Sequence, residues 1–145
     1  MFRTVLVATD GSDEAMAAVR KAVELTLSLG AGASLHIASV VAYADIPLML
    51  AKQPANAPDL LSDQAQEAVQ LAAALAFATG LQPQTHLLTG EVVPALLECA
   101  EKVGADVLVA GYRGRNRLAA IVMGSVAGKI VRSTAIPVMV VREPE

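Results

Sequence analysis

Residues 4–29 read TVLVATDGSDEAMAAVRKAVELTLSL, and the change of period inside that stretch decides the fold. TVLVAT (4–9) is a short, β-branched apolar run without polar alternation, the pattern of a strand covered on both faces. It stops at Asp10-Gly11-Ser12, a turn cluster. From Ser12 to Leu29 the spacing becomes helical. Ala15, Val19, Ala22, Val23, Leu25 and Leu29 fall on one side, and Arg20, Lys21 and Glu24 on the other. Gly30 follows as a C-cap candidate. A buried strand, a turn and an amphipathic helix together are the opening half of a parallel β-α-β unit.

The pattern repeats along the chain. SLHIASVV (34–41), QTHLLT (84–89), DVLVAG (106–111) and PVMVV (137–141) read as further strands. Helical segments are expected at 59–79, at 92–103 with Pro94 in the first turn, and at 124–133. Between 42 and 58, Pro47, Pro54 and Pro58 forbid a continuous helix or a central strand, so a long loop is expected there. Strict alternation of such strands and helices predicts an α/β fold. The expectation is a single doubly wound domain of flavodoxin or Rossmann type over residues 1–145, with a five-stranded parallel sheet in the order 3-2-1-4-5 and helices on both faces. In such sheets ligands sit beyond the carboxyl ends of the strands, where the winding reverses. The first and fourth strands flank that point. They end in the two loops of most unusual chemistry, TDGS (9–12) and GYRGRNR (111–117).

Composition narrows the function. The chain has 145 residues, 54% of them hydrophobic and only 3% aromatic, so the core must be built from Ala, Val, Leu and Ile. A net charge of −3 argues against general nucleic-acid binding. The single cysteine, Cys99, excludes an intramolecular disulfide and fits a reducing compartment. No apolar run reaches the roughly 18 residues of a membrane helix. Asp10 arrives too early for a signal-peptide core. The expected setting is cytoplasmic, with neither nucleic acid nor membrane as partner.

Charge is distributed unevenly. Between Val107 and Arg142 there is no Asp or Glu, yet Arg113, Arg115, Arg117, Lys129, Arg132 and Arg142 supply six of the eleven basic residues. A solvated basic face would account for the charge alone. The glycines point further. Gly111 and Gly114 permit close backbone approach. Gly124-Ser125 opens a helix whose first N–H groups carry roughly half a positive charge, and Ser125 adds a hydroxyl. Together they describe an anion site, most plausibly for phosphates. Neither familiar phosphate loop is present. GSVAGKI (124–130) has Met123 where a Walker A loop needs glycine and Ile130 where it needs Ser or Thr. GAGASL (30–35) follows a helix and has Leu35 in place of the last glycine of a dinucleotide fingerprint.

The spacing Gly-x2-Gly-x9-Gly-Ser at 111, 114, 124 and 125 does resemble the universal stress protein family in its ATP-binding form. The likeness runs the length of the chain through VLVATDGS, GADVLVAGYRGR, GSVAGKIVR and IPVMVV. The resemblance implies binding roles residue by residue. Ala8, Thr9 and Asp10 would lie at the end of the first strand near the ribose or adenine. The backbone of Val40 would meet the adenine, and Ala110 and Gly111 would face the nucleoside. Arg113 and Gly114 would border the phosphates, and Gly124, Ser125 and Val126 would offer them N–H groups and a hydroxyl. It further implies ATP with a bridging divalent cation (Mg or Mn), and a homodimer through the last strand, Val138, Met139, Val140 and Val141. That strand is an apolar edge in the expected order.

Several residues have plainer readings. Asp10 before a helix serves equally as a turn device. Tyr112 either stacks over a ligand or lies on the surface. Gly128 stands inside the last helix, where similar sequences often carry an acid. Cys99, His36 and His86 are expected to be structural, the histidines in separate strands without an acidic or cysteine cluster to make a metal site. No general base is evident, so at most slow ATP hydrolysis is expected. A dimeric interaction protein without nucleotide, and an enzyme using an adenine nucleotide, remain as alternatives.

Overall fold

The computed structural model describes residues 1–42, 57–113 and 124–143. Strands β1 (Thr4–Ala8), β2 (Ser34–Ala42), β3 (Gln84–Gly90), β4 (Val107–Gly111) and β5 (Val138–Val141) alternate with helices α1 (Asp13–Leu29), α2 (Ala57–Ala78), α3 (Val92–Val103) and α4 (Ser125–Ser133). All strand pairs are parallel and the sheet order is β3-β2-β1-β4-β5, as the alternation predicts. Register runs Val5↔Leu35 on one side of β1 and Val5↔Val107 on the other.

Successive strand residues point to opposite faces, and both faces are covered. Val5, Val7, Ile37, Val107 and Val109 pack with α1 and α2. Leu6, Ala38, Leu108 and Ala110 pack with α3 and with Ile130 of α4. Continuous burial on both sides is why these strands read as unbroken apolar runs. Small side chains let the helices lie close: Ala18, Ala22, Ala72 and Ala76 are fully buried.

Local chemistry sets the helix boundaries. Ser12 caps α1 by accepting from the N–H of Ala15 at 3.3 Å, and Asp13 and Glu14 occupy its first turn. The turn before it requires φ +83° at Gly11, a conformation that glycine adopts without cost. Helix α2 starts two residues earlier than the pattern suggested. Pro58 sits in its first turn, where a missing N–H would have had no helical partner in any case. Of the expected 42–58 loop, Ala42 ends β2, Ala57 and Pro58 begin α2, and 43–56 lie outside the described residues. Asp106 fastens the start of β1 to the approach of β4. Its carboxylate accepts from the N–H groups of Thr4 (3.0 Å) and Arg3 (2.9 Å), which hold its pKa below the usual value.

The two histidines meet. His36 on β2 and His86 on β3 bring Nδ1 and Nε2 within 2.9 Å, one ring donating to the other, with ring planes 21° apart. Burial lowers the pKa of both, and for His36 the neighbouring ring lowers it further.

Two consequences are measurable. A Cβ at Gly111 would lie 3.0 Å from the backbone carbon and oxygen of Glu14. Gly111→Ala should therefore destabilise the fold by about 1–3 kcal/mol, read as a lower denaturant midpoint at unchanged slope; an unchanged midpoint contradicts the packing. For the histidines, the folded values lie below the ordinary 6.5. As pH falls through that value the unfolded chain takes up protons that the folded pair resists, and stability drops. The thermal midpoint should fall between about pH 7.5 and 5.5, and His86→Gln should flatten that slope. Identical slopes would remove the pair as its cause.

Candidate functional site

A cleft of about 450 Å³ opens at the carboxyl ends of β1, β2 and β4, where the winding reverses between β1 and β4. Each wall comes from a different element. The chain leaves β1 through a turn built on its own side chains. Thr9 donates its N–H to the carbonyl of Ala38 on β2 (2.9 Å), and its hydroxyl oxygen accepts from Gly11 (3.1 Å). Asp10 Oδ1 accepts from the N–H of Ser12 at 2.9 Å. Asp10 thus supports the turn and also lines the cleft, so the two readings open to it describe one residue.

The β2 side is mostly apolar. Val40 and Val41 lie near the end of that strand, Ala65 of α2 and Leu96 of α3 close over it, and Gln64 adds an amide at the rim. The opposite side is polar and backbone-rich. Gly124 caps α4, donating its own N–H to the carbonyl of Tyr112 at 2.8 Å, while Tyr112 donates to Val141 at 2.7 Å. This stitching fixes the N-terminus of α4 beside the end of β4. Ser125, Val126 and Ala127 follow at the cleft wall. Their N–H groups fall in the helix's first turn, where no intrahelical acceptor exists. No acidic residue in that turn neutralises its positive end.

Ten of the eleven residues nominated from the sequence surround this one cleft: Ala8, Thr9, Asp10, Val40, Ala110, Gly111, Arg113, Gly124, Ser125 and Val126. The eleventh, Gly114, lies outside the described residues, as do Arg115 and Arg117. Glycine at 111 also meets a local packing requirement. Its missing side chain lets β4 pass against the first turn of α1. Tyr112 places its ring 4.7 Å from the guanidinium carbon of Arg142, a cation–π contact. Among the described residues no group of three or more His, Cys, Asp or Glu could hold a metal ion.

Sequence reasoning missed Glu14. It reads as an ordinary first-turn acid, yet it is only 1% exposed. One carboxylate oxygen lies 3.2 Å from Nη2 of Arg113, and the other accepts the backbone N–H of Arg113. The signal was available. Glu14, Ala18, Ala22 and Thr26 repeat every four residues and are all buried, so position 14 belongs to the core stripe of α1. Gln64, Val92 and Leu96 were also missed as cleft residues, because nothing local marks a helix residue that faces a neighbouring strand's end.

Comparison with known proteins agrees with this architecture. A universal stress protein of Methanocaldococcus jannaschii is 27% identical over 146 residues, covering 100% of this chain and 85% of its own. The solved structure of the hypothetical protein MJ0577 superposes with a TM-score of 0.84 at 21% identity, over 100% of this chain and 99% of that one, which bears on the fold. A universal stress protein crystallised in complex with cAMP superposes with a TM-score of 0.70 at 28% identity, over 96% of each chain. The family description "Universal stress protein family" matches residues 1–142. With the sheet order, the cleft and that match in agreement, the chain belongs to the universal stress protein family.

Proposed function

We propose that this protein binds an adenine nucleotide, ATP with a divalent cation, in the cleft at the ends of β1 and β4. It would act in stress response or signalling through nucleotide-dependent conformation or partner choice. The observation that carries the reading is the polarity of the cleft. One end is apolar and faces β2, and the other is the N-terminus of α4. A flat base suits the first, and phosphates suit N–H groups at a helix start. The volume of about 450 Å³ falls in the range of small-molecule sites. The relative bound to cAMP, at 28% identity, supports the same ligand class.

The residues present fit a cation held mainly by phosphate. Asp10 is the carboxylate among the described lining residues, where no group of three or more His, Cys, Asp or Glu forms a preformed metal cage. A magnesium or manganese ion would supply charge neutralisation between phosphates. The protein's own part is to bind and orient. With no histidine lining the cleft among the described residues, hydrolysis should be slow at most. A cytoplasmic location is part of this proposal; among the described residues no helix is long and apolar enough to cross a membrane.

The proposed assembly is a homodimer through β5. This strand is an edge of the sheet. Its Met139 is 36% exposed, with Val131 of α4 at 47%. Exposed apolar edges pair or are covered.

Calorimetry with ATP and magnesium should show saturable heat in the micromolar to millimolar range; folded protein giving none would overturn the binding reading. Light scattering should report a dimer at high micromolar concentration, shifted toward monomer by Met139→Lys. A wild-type monomer at that concentration would refute the assembly.

A further inference from the structure

We infer that Glu14 is a positioning residue that sets how strongly the cleft prefers more highly charged phosphate groups, by holding Arg113 in a neutralised pair at the cleft wall. This rests on the nucleotide-binding reading and names the residue that tunes it. Arg113 lines the cleft beside Gly111 and Gly124, where the phosphates would lie. Its guanidinium is not simply presented to them. Nη2 is 3.2 Å from Glu14 Oε1, with the two side chains only 14% and 2% exposed. The second carboxylate oxygen takes the backbone N–H of the same residue. Glu14 therefore holds both the charge and the main chain at the point where β4 leads into the Gly-x2-Gly segment.

Such a pair has a definite electrostatic consequence. Seen from the cleft, Arg113 and Glu14 together contribute a dipole rather than a full positive charge. Among the described residues, the field at the phosphate end then comes chiefly from the first turn of α4, whose short reach adds little for phosphates beyond the nearest one. A triphosphate gains less over a monophosphate than an uncompensated arginine would give. Removing the Glu14 charge takes away the carboxylate paired with this part-buried cation, and the most highly charged ligand benefits most.

The experiment compares the ATP-to-AMP affinity ratio in wild type, Glu14→Gln, Arg113→Gln and the double variant, at two salt concentrations. Glu14→Gln should raise the ratio about tenfold at low salt, with a steeper salt dependence, as one additional unit charge a few ångströms from the outer phosphates requires. Arg113→Gln leaves the carboxylate in place and should lower the ratio. The double variant removes both charges and should return the ratio close to wild type. A merely structural pair would weaken ATP and AMP alike. An unchanged ratio in Glu14→Gln, or a double variant as low as Arg113→Gln, overturns the inference. If Glu14→Gln does not fold, the double variant carries no uncompensated charge, and its ratio against Arg113→Gln decides alone: higher supports the inference and equal overturns it. Wild-type protein that binds neither nucleotide overturns the binding reading itself, whereas wild-type binding with an unresponsive ratio overturns only the role of Glu14.

Discussion

The carboxyl end of this sheet depends on one close approach, the passage of β4 at Gly111 against the first turn of α1. A side chain fits there only if the main chain gives way, since a Cβ would stand 3.0 Å from the backbone of Glu14. The contact joins positions nearly a hundred residues apart. It brings the Glu14 carboxylate within reach of Arg113, and it brings the turn after β1 beside the segment that leaves β4. The turn has to deliver α1 to that position, and it does so with internal hydrogen bonds. Thr9 and Asp10 accept from N–H groups two residues ahead, Gly11 takes a positive φ, and Ser12 caps the helix. The residues that shape the fold here and those that line the cleft are largely the same.

That overlap bears on how an acidic chain could hold the proposed anionic ligand. With a net charge of −3, attraction cannot come from the protein as a whole. It has to be local, and two devices make it so. The span from Val107 to Arg142 carries no acid. The first turn of α4 adds N–H groups that carry no counter-charge of their own. The one arginine that the described residues place at the cleft is tied to a buried carboxylate. Among the described residues, the backbone dipole of α4 is thus the part of the positive potential that has no carboxylate beside it.

The fold was legible in the sequence because parallel strands buried on both faces leave an unbroken apolar signature, and each of the first four is followed along the chain by a segment of helical period. The strand order 3-2-1-4-5 was an expectation for a doubly wound domain, and the observed order agrees. Boundaries were less secure where two rules compete, as at Pro58, which breaks a helix interior but suits a first turn. The cleft residues were legible where a motif with fixed spacing carried them. What escaped was side-chain pairing across the fold. His36 and His86 meet only because the β2–β3 register sets His86 opposite Ala38, two residues from His36. Glu14 and Arg113 meet only because Gly111 is thin. Neither distance is encoded by neighbours in the chain, so local pattern reading could not supply it.

The polarity of the cleft has a topological origin. The sheet is wound outward from β1 in both directions, so the walls on its two sides come from different parts of the chain. On the β2 side, α2 and α3 close over the strand end with Ala65 and Leu96. On the β4 side, the chain returns as the N-terminus of α4, held to Tyr112 through Gly124. Two strand spacings, about 10 Å, separate β2 from β4. A ligand that uses both walls must therefore be apolar and flat at one end, anionic at the other, and long enough to cross β1. Inorganic phosphate meets only the second requirement and a free base only the first. A nucleotide meets all three, and the bridge between its two ends would rest over Thr9 and Asp10, at the turn that starts α1.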